Sequence, residues 1–120
     1  MNNTELAQLK KDDPIHYAEV CEENKDYAEA VWGYSQSIYA GPLLNAAELA
    51  FKIKDYNKTK ELIKKSREAS KRSMDVMLEI SGTLPGLGEL GFGTNEARHI
   101  KLNKDINSLE EKLNNIPNNN

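Results

Sequence analysis

The chain has 120 residues, 29% of them charged, a formal net charge of -3 and a single cysteine. That length holds one hydrophobic core, and a lone cysteine excludes both an intramolecular disulfide and a cysteine-rich zinc site. A mean hydropathy of -0.71 and the lack of any run of 18 apolar residues exclude a transmembrane helix. The opening Met1-Asn-Asn-Thr-Glu has no basic or apolar region of a signal peptide, so a cytoplasmic location is expected.

Apolar residues recur three and four apart over most of the chain and β-strand alternation is missing, which predicts an all-α fold. The first helix is short, Glu5 to Lys11, with Asn3 or Thr4 as its cap and Leu6 and Leu9 on one face. Asp13 caps the second at Pro14, where the first helical position needs no backbone donor. That helix runs to Asn24. A third extends from about Asp26 to Ala40, a fourth opens at Pro42 and reaches about Lys54, and Asp55 caps a long fifth ending near Ile80. Residues 81–94 hold five glycines and one proline and read as a loop, with Leu84, Leu87, Leu90 and Phe92 available to tuck under the bundle. Thr94 or Asn95 caps the last helix, within 95–116, and residues 117–120 read as a disordered tail. Residues 1–116 thus form one helical domain.

Self-comparison finds a repeat. Ala18-Glu19-Val20 with Lys25-Asp26-Tyr27 recurs 29 residues later as Ala47-Glu48-Leu49 with Lys54-Asp55-Tyr56. Ile15 corresponds to Leu44, Tyr34 to Ile63 and Ser37 to Ser66. A small alanine lets two helices approach, Lys-Asp turns the chain, and the tyrosine packs back across the hairpin. From Tyr27 onward, Ala30, Tyr34, Ser37 and Pro42 stand at the spacings of the tetratricopeptide (TPR) pattern, which the chain resembles over about residues 13–66. The second copy, with Thr59, Ile63 and Ser66, is degenerate, and lysine replaces the turn glycine in both. The resemblance implies TPR-like antiparallel helical hairpins, here at about 13–80; an unrelated helical bundle is the alternative. Two hairpins need neighbours to cover them. Leu102, Ile106, Leu109, Leu113 and Ile116 give the last helix a narrow apolar seam. That seam either folds back on the long helix or pairs with another chain as a homodimer.

The chemistry-bearing residues are few. Tyr27, Ala30, Val31, Tyr34 and Ile38 form one stripe of the third helix, which core packing explains, and Ala28, Trp32, Ser35 and Tyr39 form a second, either extra core or an exposed aromatic surface. Trp32, Tyr34 and Tyr39 are the candidate aromatic anchors for a partner. Residues 58–72 carry seven basic and two acidic side chains, and residues 11–29 carry seven acidic and two basic ones. Lys60, Lys64, Arg67 and Lys71 make one basic ridge, suited to an acidic segment of a protein partner. Glu61–Lys65 and Glu68–Arg72 are the i,i+4 pairs expected beside it. No aromatic residue interleaves with the ridge, which argues against a nucleic-acid surface. Gly86, Gly88 and Gly91 satisfy G-x-G-x-x-G but follow a helix, so no dinucleotide site is read there. His16 and Cys21 lie about 140° apart on one helix and His99 stands alone, giving no catalytic pair, metal site or cofactor. The expectation is a non-enzymatic protein-interaction module of adaptor, chaperone or immunity type. Self-association and a regulatory nucleic-acid binder using residues 58–72 are its alternatives.

Overall fold

A computed structural model describes the backbone of residues 1–83 and 92–117, and the side chains of 1–73 and 97–117. The described residues form six helices: α1 (Asn3–Asp12), α2 (Pro14–Glu23), α3 (Tyr27–Ser35), α4 (Ala40–Lys52), α5 (Tyr56–Thr83) and α6 (Phe92–Asn114). Each packs on the next where both are described, and α6 returns to touch α4. The fold is all-α, with adjacent helices paired in sequence order.

Helix starts follow local chemistry. Asn2, one residue before the expected cap, accepts the Glu5 N–H at 2.8 Å and starts α1. Asp13 accepts from His16 at 3.1 Å with Pro14 opening α2, and Asp55 accepts from Lys58 at 3.2 Å to open α5. The two Lys-Asp turns are built alike. Lys25 and Lys54 take left-handed φ values of 64° and 65°. Asp26 N–H then reaches the Cys21 carbonyl at 2.8 Å, and Asp55 N–H reaches that of Ala50 at 2.9 Å. Each bond joins a backbone amide to the carbonyl five residues earlier, which closes the last turn of α2 and of α4.

Several helix boundaries depart from the sequence expectation. Helix α3 stops at Ser35 instead of Ala40 because the Ser35 hydroxyl and the Gln36 amide both donate to the Trp32 carbonyl, at 2.7 and 3.2 Å. These side chains compete for the acceptor that the next turn would use. Ser37 Oγ then accepts the Tyr39 N–H at 2.9 Å and α4 starts at Ala40, with Pro42 inside its first turn. Helix α5 runs on to Thr83 and α6 begins at Phe92, so the 81–94 segment expected as loop is helical at both ends. Residues 84–91, which hold Leu84, Leu87, Leu90 and Gly86, Gly88 and Gly91, lie outside the described residues, as do residues 118–120 of the expected tail.

The core centres on α4, where Leu43, Leu44, Ala46, Ala47, Leu49 and Ala50 are all buried. It continues through Ala18 and Cys21 of α2, Ala30, Val31 and Tyr34 of α3, and Leu62 and Ile63 of α5. Small residues set the helix separations. A Cβ placed on Gly33 would stand 2.6 Å from the Pro14 carbonyl oxygen and 2.7 Å from Ala18 Cβ, so α2 and α3 meet backbone to backbone there. Ser66, fully buried, donates to the Ala40 carbonyl at 3.0 Å and joins α5 to the start of α4. Helix α6 turns Ile106, Leu109 and Leu113 inward, with Leu102 partly buried against the same core. Ile116 is half-buried beyond the end of α6. The apolar seam folds back on its own chain.

Candidate functional site

The residues singled out in the sequence do not converge on one patch. Trp32 is 38% exposed and lies edge-on to Tyr17, ring centroids 6.2 Å apart, with Lys10 Nζ 4.6 Å from the Trp32 ring. Tyr34 is a core residue, not a surface anchor: it is buried, and its hydroxyl donates to Glu22 Oε1 at 2.7 Å. Burial and the neighbouring Glu22 and Glu19 carboxylates push the Tyr34 phenol well above its usual range, so it stays neutral and donating. Tyr39 is 67% exposed beside Ile38, 70% exposed, at the α3–α4 corner; Arg72 Nη2 approaches the Ile38 carbonyl at 3.5 Å.

The basic ridge is divided. Lys60, Lys64 and Lys71 are exposed on α5. Arg67 is drawn aside by α6, its guanidinium donating to Glu110 Oε1 at 2.7 Å and to Asn107 Oδ1 at 2.8 Å. The expected Glu61–Lys65 pair forms at 3.2 Å, and Lys58 joins it at 3.6 Å. These two ammonium groups hold the exposed Glu61 carboxyl below its usual range. Arg72 turns to Ile38, and among the described residues no ion pair joins it to Glu68.

A different surface is concave. Two adjoining open depressions, of about 300 and 420 Å³, run across α2, α4 and α6. The first is lined by Glu48, Phe51, Asp105, Ser108, Leu109 and Lys112; the second by Glu22, Asn45, Glu48, Leu49 and Lys52. Glu48 borders both. Helix α4 places Asn45, Glu48 and Lys52 as its exposed polar stripe while the rest of its circumference is largely buried. Lys52 leans away over the Tyr27 ring, 4.4 Å from its centroid, and donates to the Tyr27 hydroxyl at 3.3 Å. Glu48 is pushed above the ordinary carboxylate range, first by partial burial and then by Asp105, whose effect exceeds the opposing pull of Lys112; Glu22 adds to the rise. Among the described residues, none of the ion pairs includes Glu22, Glu48 or Asp105.

This groove was not read from the sequence. Its signal was present in α4, where Asn45, Glu48 and Lys52 are spaced three and four apart as the polar stripe of an otherwise apolar segment. Its other walls, Glu22 and the Asp105–Lys112 edge of α6, depend on long-range packing that no local pattern specifies.

Cys21 is buried against Tyr17, and burial pushes its thiol above the usual range, away from the reactive thiolate. His16 is exposed; His99 Nδ1 lies 3.4 Å from Ser70 Oγ, which in turn donates to Asn103 at 3.2 Å. Among the described residues no group of three or more His, Cys, Asp or Glu could hold a metal ion, and no helix is long and apolar enough to cross a membrane. No protein-family profile, curated protein or solved structure matches the chain.

Proposed function

We propose that the chain is a non-enzymatic protein-interaction module whose α2, α4 and α6 form a TPR-like binding face. The single observation that carries this reading is the groove across those three helices, open to solvent, where Glu22, Glu48 and Asp105 stand beside Lys52 and Lys112 and, among the described residues, none of the three carboxylates is in an ion pair. Two features support the TPR-like description: the same lysine-aspartate turn closing α2 and α4, and the small residues that bring α2 against α3. Binding would work by charge and shape. A partner segment lies along the groove, its basic side chains meeting Glu22, Glu48 and Asp105 and its apolar side chains meeting Phe51, Leu49 and Leu109. Such a segment relieves the mutual repulsion of Glu48 and Asp105, which water screens only in part.

Site-specific photocrosslinking tests this face. A photoreactive residue at Ser108 or Asn45 traps the partner in the native cell extract, and Glu48→Lys abolishes the adduct while the helical circular dichroism is unchanged. Equal trapping from Lys60, or trapping that survives Glu48→Lys, contradicts the reading.

A second reading is favoured by the corner of Ile38 and Tyr39, the two most exposed large apolar side chains of the α3–α4 connection. With Arg72 beside them and Lys71, Lys64 and Lys60 along α5, this corner suits an acidic, apolar segment of a protein partner. Its partner has the opposite charge to that of the groove, so the two readings separate on composition alone.

A further inference from the structure

We propose that α1 is a releasable strap, and that the Tyr17–Trp32 surface beneath its Lys10 is a second docking site, for a helix that presents a lysine or arginine beside leucines. This site is distinct from the α2/α4/α6 groove.

Helix α1 contributes no fully buried residue. Leu6 and Leu9 are only partly buried against the core, and the last residues of α1 are Lys11 and Asp12, both exposed. Its most specific attachment is Lys10. That ammonium lies 3.2 Å from Glu29 Oε2, 4.6 Å from the centroid of Trp32 and 5.5 Å from that of Tyr17. One side chain therefore makes an ion pair and two cation–π contacts at once, all to residues of α2 and α3. The Tyr17 and Trp32 rings stand at 85° to each other, so they present an aromatic corner with Glu29 at its edge. Such a corner selects a cation by the same physics as an aromatic cage.

The strap is weakly held by comparison with its seat. A ten-residue helix is marginal in water without tertiary support, so α1 loses its helix as it leaves and its chain entropy favours the open state. Elements with few buried apolar contacts open well below the free energy of global unfolding. Helices α2 and α3, by contrast, are clamped by Gly33 and Ala18 and remain when α1 departs. What occupies the corner in cis is Lys10, while Leu6 and Leu9 of the same helix are partly buried against the core, and this pairing defines the chemistry that competes with α1 in trans.

Trp32 is the only tryptophan of the chain and reads the corner directly. In the 120-residue chain, hydrogen exchange of α1 amides is expected to be at least about tenfold faster than that of α4 amides. Lys10→Glu, which sets a carboxylate against Glu29, is expected to raise acrylamide quenching of Trp32 about twofold and to erase α1 protection, with the melting temperature of the remainder kept. A synthetic peptide of residues 1–13 added to the Lys10→Glu protein restores the shielding of Trp32, and the same peptide with Lys10→Ala does not. The proposal is overturned by α1 exchanging only with global unfolding, or by Lys10→Glu lowering the melting temperature of the whole chain. Unchanged Trp32 quenching, or a wild-type peptide without effect, overturns it equally.

Discussion

Two residues carry constraints that composition hides. Glycine in the middle of a helix normally costs about 1 kcal/mol relative to alanine. At Gly33 the sign reverses, because a methyl group would meet the Pro14 carbonyl and the Ala18 side chain inside van der Waals contact. Gly33→Ala is therefore expected to destabilise by about 1–3 kcal/mol in urea denaturation; a stabilised variant would show that α2 and α3 do not meet there. Lys25 and Lys54 present the opposite case. Both occupy the left-handed region, which a side chain adopts at a cost that glycine avoids. Lys54→Gly is expected to stabilise by about 0.5–1 kcal/mol after the entropy of the freer unfolded chain is offset, and Lys25→Gly by a similar amount. Glu48 adds a pH-dependent term. Its folded-state pKa is raised, so its ionised form opposes folding above that pKa, and the penalty fades as pH falls through it. Glu48→Gln should accordingly raise the melting temperature slightly at neutral pH, and the gap to wild type should close on acidification through the carboxylate range.

At the scale of elements, what was legible followed local chemistry. Asp13-Pro14 and Asp55 announced two helix starts because a cap and its acceptor are neighbours in sequence. The end of α3 was missed because Ser35 and Gln36, both compatible with a helix, turn back on the Trp32 carbonyl. Tyr34 belongs to the stripe that its apolar spacing assigns to the core, and its burial with Ala30 and Val31 removes it from the candidate anchors. Arg67 was placed in a free basic ridge because Glu110, 43 residues away, is invisible to a local pattern. The seam of α6 was legible as apolar but not as to what covers it. In the structure it lies on α5 and α4, with Ile106 fully buried. Leu109→Lys is therefore expected to detach α6, losing its amide protection and costing about 3 kcal/mol or more, with the mass in solution unchanged. A wild-type dimer that this substitution dissociates into stable monomers would return the seam to an intermolecular role.

Across the whole molecule, the sequential pairing of helices leaves α2, α4 and α6 on a shared face, and the groove is a consequence of that topology. Its charge runs against the expectation from the basic stretch of α5. The carboxylates of Glu22, Glu48 and Asp105 gather from three helices that are far apart in sequence, while the lysines of α5 stay dispersed and Arg67 is neutralised within the chain. A net charge of -3 therefore says less about the partner than its distribution over the fold does. The most direct measurement is selection of random peptides displayed on phage against the folded protein, with a Glu48→Lys, Asp105→Lys double variant as the counter-target. Sequences rich in lysine and arginine that lose binding to the double variant are expected. Enrichment of acidic peptides, or of peptides that bind both proteins equally, would contradict this expectation.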